Sequence, residues 1–200
     1  MSLFRRRGIP AAGLVGALLV SCASPERGAH LLDVPFLEQP PDRCGPVAVA
    51  MVARYYGLSP DMETLDRDIL IPALAGSIPA LLAEGAQRQG LAAEVRQCSE
   101  PEIHALIAAG FPLVVMLAPA GKETRGHFVV ATGSNPATGA LRVHSGARRD
   151  RWISSRQWRE RWENAGCRIV LIRPAADSSG LTRGSGFDSV PMDPSEVQSS

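Results

Sequence analysis

Aromatic side chains are scarce in this chain. They make up 5% of 200 residues, against 45% hydrophobic overall. Ala and Val dominate the apolar set, so a core has to be built from small and branched aliphatics. An excess of charge of either sign is also lacking. Lys and Arg number 21 and Asp and Glu 20, a formal balance of +1, which makes no electrostatic case for nucleic acid. No apolar run reaches the length of an ordinary membrane span; Ile9 to Val20 falls short of it. No two of the four cysteines have the close spacing typical of structural zinc ligands. A Gly-Lys-Ser/Thr phosphate loop is missing too, so no ATPase domain is expected in this chain. There is no internal repeat, and neither a metal nor a cofactor is implied. The length and hydrophobic content suit one globular domain with a sizeable core.

The first residues read as targeting. Arg5, Arg6 and Arg7 form a basic head, Ile9 to Val20 a short apolar stretch, and Leu19-Val20-Ser21-Cys22 resembles the bacterial lipobox. Cleavage before Cys22 removes residues 1–21 and leaves a thiol to carry diacylglycerol, an anchor that works through burial of acyl methylenes. Ala23 is not Asp, and the sorting rule of Gram-negative lipoproteins then sends the protein to the outer membrane, facing the periplasm. Removing the three arginines turns the charge balance slightly negative. Residues 22–30 read as a tether, 31–174 as the folded domain, and 175–200, rich in Ser, Gly, Pro and acids, as disordered.

Within the domain, Leu31 to Phe36 is expected as an entering strand. Cys44-Gly45-Pro46 then opens an apolar run (Val47, Ala48, Ala50, Met51, Val52, Tyr55) that predicts a helix buried on most sides, stopped by Gly57. Pro46 suits the first helical position. Asp61–Ile69 and Ile78–Gln89 read as helices, with Pro72–Gly76 a loop between them. Ala92–Gln97 reads as a strand. Ser99 and Glu102 form a capping box for a helix ending near Ala109. Pro112–Leu117, His127–Thr132, Leu141–Ser145, Arg151–Ile153 and Cys167–Arg173 read as strands, with Ser134–Gly139 a turn-rich loop. Ser154 or Ser155 caps a helix whose Trp158 and Trp162 share a face and serve packing. Helices early and antiparallel strands late make this an α+β chain.

Cys44 stands where a helix begins. Unpaired amides and the macrodipole there favour a thiolate, the nucleophile of thiol acyl transfer. Gln39, five residues upstream, is an uncharged donor for an oxyanion. His127 follows Gly126 and opens an apolar strand, a position for a general base. His30 and His104 read as solvated or structural. In an oxidising compartment Cys98 and Cys167 are left as an even pair. Sequence does not decide between a disulfide and two buried thiols.

The set Gln39, Cys44-Gly45-Pro46, Tyr55-Tyr56-Gly57 and Gly126-His127 with its valine-rich strand resembles the papain-like cysteine peptidases of the bacteriocin-processing kind, which cut leader peptides after a double glycine. The resemblance covers roughly Leu31 to Pro174. It implies a papain-like fold, with a nucleophile helix packed on a small antiparallel sheet. It also implies Cys44 as nucleophile, His127 as base, Gln39 at the oxyanion and a peptide or protein substrate. The family's third residue is usually Asp before Pro, and here Ser145-Gly146 stands in its place. A lipoprotein branch with a similar Ser-Gly is the subgroup this suggests. His144 and Asp150 are fallback partners for the imidazole, although His144 points to the opposite strand face from Ser145. The main alternative is a peptide-binding module of the same fold with its chemistry lost. Amide transfer or deamidation by the same groups is a further one.

Overall fold

The small-residue run after Cys44 folds as α1, Cys44–Tyr55. Val47 through Ala53 are all buried in it, because Ala and Val leave no bulk to hold neighbouring elements away. The structure is a computed structural model describing residues 26–121 and 123–175. The expected signal segment, Cys22 and all of the expected tail but Ala175 lie outside the described residues.

Two helices pack beside α1: α2 (Met62–Ile69) and α3 (Pro79–Arg88). Asp61 caps α2 by accepting from the Glu63 and Thr64 amides. A 3-10 turn, Pro72–Leu74, lies between the two helices. The strands are β1 (His30–Leu31), β2 (Leu91–Gln97), β3 (Leu113–Leu117), β4 (His127–Asn135), β5 (Ala140–Ser145), β6 (Arg148–Ile153) and β7 (Arg168–Pro174). Helix α4 (Glu100–Ala108) follows β2, and α5 (Ser155–Asn164) joins β6 to β7. Capping boxes at Ser99/Glu102 and Ser154/Gln157 start α4 and α5.

Every strand pairing is antiparallel, in the order β2-β7-β3-β4-β5-β6, with β1 added along β4. Successive residues of β3, β4 and β7 point to opposite faces, and both faces are covered, as their near-continuous apolar sequence requires. Val114, Phe128, Val130, Val170 and Ile172 pack with α1, α2 and α3. Val115, Leu117, Val129, Val143, Ile153 and Leu171 pack with α4 and α5. Trp158 and Trp162 fill that second core, and each indole N–H donates to a backbone carbonyl, of Gly139 and Arg168. Their role in packing agrees with the sequence.

The entering strand is shorter than expected. Its ladder ends when the Leu32 amide donates to Thr132 O. Pro35 has no amide to give, and the Val34 carbonyl is turned to the His144 ring. The β4–β5 turn is tighter than the sequence reading, because Ser134 and Asn135 still pair with Leu141 and Ala140. Strand β6 starts three residues earlier than Arg151. Cys98 and Cys167 face one another just past the β2–β7 ladder, joined by the Cys98 amide donating to Cys167 O at 3.1 Å. Both are free thiols.

Candidate active site

Cys44 is the first residue of α1, and the first intrahelical bond runs from the Val47 amide to Arg43 O. Pro46 is therefore the third helical residue and not the first. It is tolerated because the whole first turn lacks amide acceptors. Gly45 is required by a close approach: a Cβ there would meet Ser77 Oγ at 2.7 Å and Ser77 Cβ at 2.9 Å.

The Cys44 sulfur is half-buried, and three backbone N–H groups, of Phe128, Gly45 and Cys44 itself, favour its thiolate. Burial outweighs them and pushes the thiol above its ordinary value, with Asp42 adding to the rise. Burial therefore works against the thiolate that the helix start favours. The helix terminus does supply the favourable amides, but desolvation, which depends on tertiary packing, is larger.

His127 opens β4. Phe128, the next residue, turns its side chain to the α1 side of the sheet, so alternation places His127 on the α4/α5 side. Because His127 is the end residue of its strand, it and Cys44 both reach one cleft of about 830 Å³ at the end of the sheet. His127 Nε2 lies 3.0 Å from Ser145 Oγ. A bulge between Ala131 and Gly133 sets this register: Val130 pairs with His144, which leaves Ser145 across from Val129 and on the face of His127. Burial, with the Arg161 guanidinium adding, pulls the imidazole below the ordinary histidine value, and Glu123 opposes them.

Gln39 is buried at 7% exposure and ties three segments together. Its backbone amide donates to Gly146 O at 3.1 Å, and the Gly146 amide donates back to Oε1 at 2.7 Å. Nε2 donates to Cys44 O at 3.1 Å and to Phe128 O at 3.2 Å. With an N–H on one side and two carbonyls on the other, only one orientation of the amide satisfies all partners. The cleft thus collects Gln39, Cys44, His127 and Ser145, the four residues the sequence singled out.

The fallback partners sit elsewhere. His144 is fully buried, with Nε2 donating to Val34 O at 2.9 Å and Nδ1 accepting from the Asp150 amide at 3.2 Å. Both ring nitrogens are thereby occupied, and burial pulls its pKa down. His104 lies on α4 beside Glu100 Oε1 at 3.8 Å.

Sequence reasoning missed several cleft residues. Arg125 bonds Ala75 O at 2.5 Å and pairs with Asp42 at 2.7 Å, joining the loops on either side of the cleft. Arg161 sits beside the His127–Ser145 pair, and so does Arg151. Arg161 neighbours Trp162 in the helical stripe, and nothing in the local pattern announces that it faces a histidine on another element. Among the described residues no cluster of His, Cys, Asp and Glu could hold a metal ion, and no helix is long and apolar enough to cross a membrane.

A helix-borne cysteine and a strand-borne histidine lining one cleft at the edge of a helix-flanked antiparallel sheet fit the papain-like class of fold. The profile of the Peptidase_C39 like family matches residues 31–170, and the chain belongs to that family. Solved structures share the fold, among them the following three. A double glycine motif protease from an AMS/PCAT transporter, in complex with the leader peptide, is 23% identical with a TM-score of 0.58, over 72% of this chain and 94% of that one. A C39-like peptidase from Bacillus anthracis is 16% identical with a TM-score of 0.61, over 74% and 98%. The peptidase domain of Streptococcus ComA, a bi-functional ABC transporter involved in quorum sensing, is 18% identical with a TM-score of 0.55, over 73% and 99%. No curated protein sequence matches the chain.

Proposed function

We propose that this protein is a cysteine peptidase that hydrolyses peptide bonds at the Cys44–His127 cleft. The observation that carries the reading is the convergence of Gln39, Cys44, His127 and Ser145 on that one cleft from four separate segments. Ser145 Oγ accepts from His127 Nε2–H, which leaves Nδ1 as the basic nitrogen. Nδ1 takes the Cys44 proton as sulfur attacks the substrate carbonyl carbon. The carbonyl oxygen becomes an oxyanion, held by the Cys44 backbone N–H and by Gln39. Both Gln39 Nε2 hydrogens are engaged at rest, so its service there exchanges one of the two carbonyl bonds. The imidazolium returns its proton to the leaving amine as the C–N bond breaks, giving a thioester. Water, deprotonated by His127, then hydrolyses the thioester and frees Cys44.

The second reading is a peptide-binding module. The neutral Ser145 partner and the thiol raised by burial favour it. Incubation with Gly-Gly-containing peptides separates the two by mass analysis. Cleavage abolished in Cys44→Ala supports the peptidase. Binding without cleavage, unaltered by Cys44→Ala, supports the module. A mass change of one unit without chain scission would point to deamidation instead.

We place the protein in the bacterial cell envelope, lipid-anchored through Cys22 and facing the periplasm from the outer membrane. The basic head, short apolar stretch and Leu19-Val20-Ser21-Cys22 support this. Labelling with a lipid precursor tests it: incorporation in the wild type, lost in Cys22→Ser, is expected, and no incorporation in the wild type rejects the anchor.

A further inference from the structure

Among the described residues the imidazole of His127 is bonded to Ser145, a partner that carries no charge. Beneath it lies a second cavity of about 250 Å³, on the α5 side of the sheet. Its floor is apolar, made by Leu117, Val129, Val143 and Ile153. The polar groups it presents are His127, Ser145, Gln157 and two guanidiniums, those of Arg151 and Arg161. Topology explains the grouping. Arg151 pairs with Val143 across the β5–β6 ladder, so it shares the face of Val143 and Ser145. Arg161 reaches the same space from α5.

Of the two arginines, Arg161 is paired with a carboxylate and Arg151 is not. Arg161 donates Nε–H to Ala118 O at 2.8 Å and pairs through Nη2 with Glu123 at 2.5 Å, while its Nη1 has no partner among the described residues. Arg151 has neither hydrogen bond nor ion pair there. Glu123 lines the main cleft and not this cavity, so no carboxylate of the described residues enters it. Two guanidiniums over an apolar floor, next to the Ser145 hydroxyl, make a setting for a small planar anion, which a guanidinium grips through paired N–H donors.

We infer that this cavity is a carboxylate-binding site: a carboxylate held by Arg151 and Arg161 beside Ser145 supplies negative charge on the side of the His127 ring where its bonded partner, a hydroxyl, has none. The inference deepens the peptidase reading and rests on it for its catalytic meaning. The carboxylate can come from the substrate peptide, as an acidic side chain or a free C-terminus, or from a free small acid. In either case the bound anion favours protonated His127, because an opposite charge at close range stabilises the charged form. The other charged or titratable groups lining the main cleft are Cys44, Asp42, Glu123 and Arg125. None of these lies in the second cavity, whereas Arg151 and Arg161 border both spaces, so a response that depends on Arg151 places the anion beside that guanidinium.

The test follows the His127 ring by NMR titration in the full folded domain carrying Cys44→Ala, so that no turnover intervenes. Sodium acetate is the probe, with sodium chloride at matched ionic strength as control. Saturable binding of acetate is expected to raise the titration midpoint of His127 by about one pH unit, with no such rise in chloride. Arg151→Gln, at an exposed position, is expected to fold normally and abolish the rise, and Arg151→Lys to retain part of it. Ser145→Asp, which fills the cavity with its own carboxylate, is expected to start from the raised midpoint and ignore acetate. Glu-containing and amidated Ala peptides then separate the sources. A rise with the acidic peptide assigns the carboxylate to the substrate, and a rise with acetate alone assigns it to a free acid. An unmoved midpoint in acetate, or equal movement in chloride or in Arg151→Gln, overturns the inference. The ring titration is independent of peptide cleavage, so this inference and the peptidase reading can fail separately.

Discussion

His127 Nε2 and Ser145 Oγ stand 3.0 Å apart, a hydrogen bond between an imidazole and a neutral hydroxyl. A hydroxyl orients the ring, but it serves either tautomer, since it both donates and accepts, and it offers no countercharge when the ring is protonated during thiol transfer. Burial and Arg161 add to the cost of protonation, and Glu123 offsets only part of it.

Ser145→Asp is therefore expected to raise kcat/KM for peptide cleavage about tenfold or more, an amount consistent with one close opposite charge on an imidazolium. Ser145→Ala, which removes the orienting bond and adds no charge, is expected to lower it. Steady-state kinetics on the same peptide checks both, and a drop in Ser145→Asp would reject a countercharge deficit.

Gln39 is expected to matter for stability as well as for rate. Gln39→Ala leaves the Gly146 amide and the Cys44 and Phe128 carbonyls without the side-chain partner they have now, a loss of about 2–4 kcal/mol. Gln39→Glu keeps the acceptor for Gly146 but sets a charge against two carbonyl oxygens, and is expected to be at least as destabilising at pH 7. Urea unfolding midpoints measure both. Near-wild-type stability in either variant would reject the clamp.

The thiol pushed up by burial leads to an alkylation profile. Iodoacetamide is expected to react with Cys44 more slowly at pH 7 than with a free cysteine thiol, and the rate to climb only above the ordinary thiol range. A midpoint below that range would restore the resting thiolate expected from the helix terminus.

Stability should have limits on both sides of neutral pH. His127, His104 and His144 are all held below the ordinary histidine value, burial being the first cause in each. The unfolded chain thus binds more protons as pH falls through about 6.5, and stability is lost toward acid. Cys44 has the opposite sign: its folded pKa is raised, so stability is lost as pH rises past the ordinary thiol value. Unfolding midpoints across pH 4 to 10 check the dome, and His127→Gln is expected to flatten its acid side.

Gly45→Ala is expected to cost about 1–3 kcal/mol through overlap with Ser77. Combined with Ser77→Gly it should regain part of that loss. A double-mutant cycle by urea unfolding reads the coupling, and additive effects would reject the contact.

The elements that local pattern reveals were legible beforehand. Helix α1 follows from its Ala and Val run, α4 from its capping box, α5 from a serine cap at Ser154 or Ser155, and β3 from its unbroken apolar stretch. The departures come where partners lie far along the chain. Strand β1 is cut short because the Val34 carbonyl bonds a histidine 110 residues away, and β4 runs on to Asn135 because β5 offers it ladder partners.

The sequence by itself determined the α+β class, a cysteine at a helix start and a histidine at a strand start, since each depends on neighbours within a few residues. Only the tertiary structure decided that the two share a cleft, that burial overrides the helix-end amides at Cys44, and that both Gln39 donors are engaged. Desolvation and hydrogen bonding depend on what packs against a group in space. For Cys44 and Gln39 that includes the start of β4, more than eighty residues along the chain.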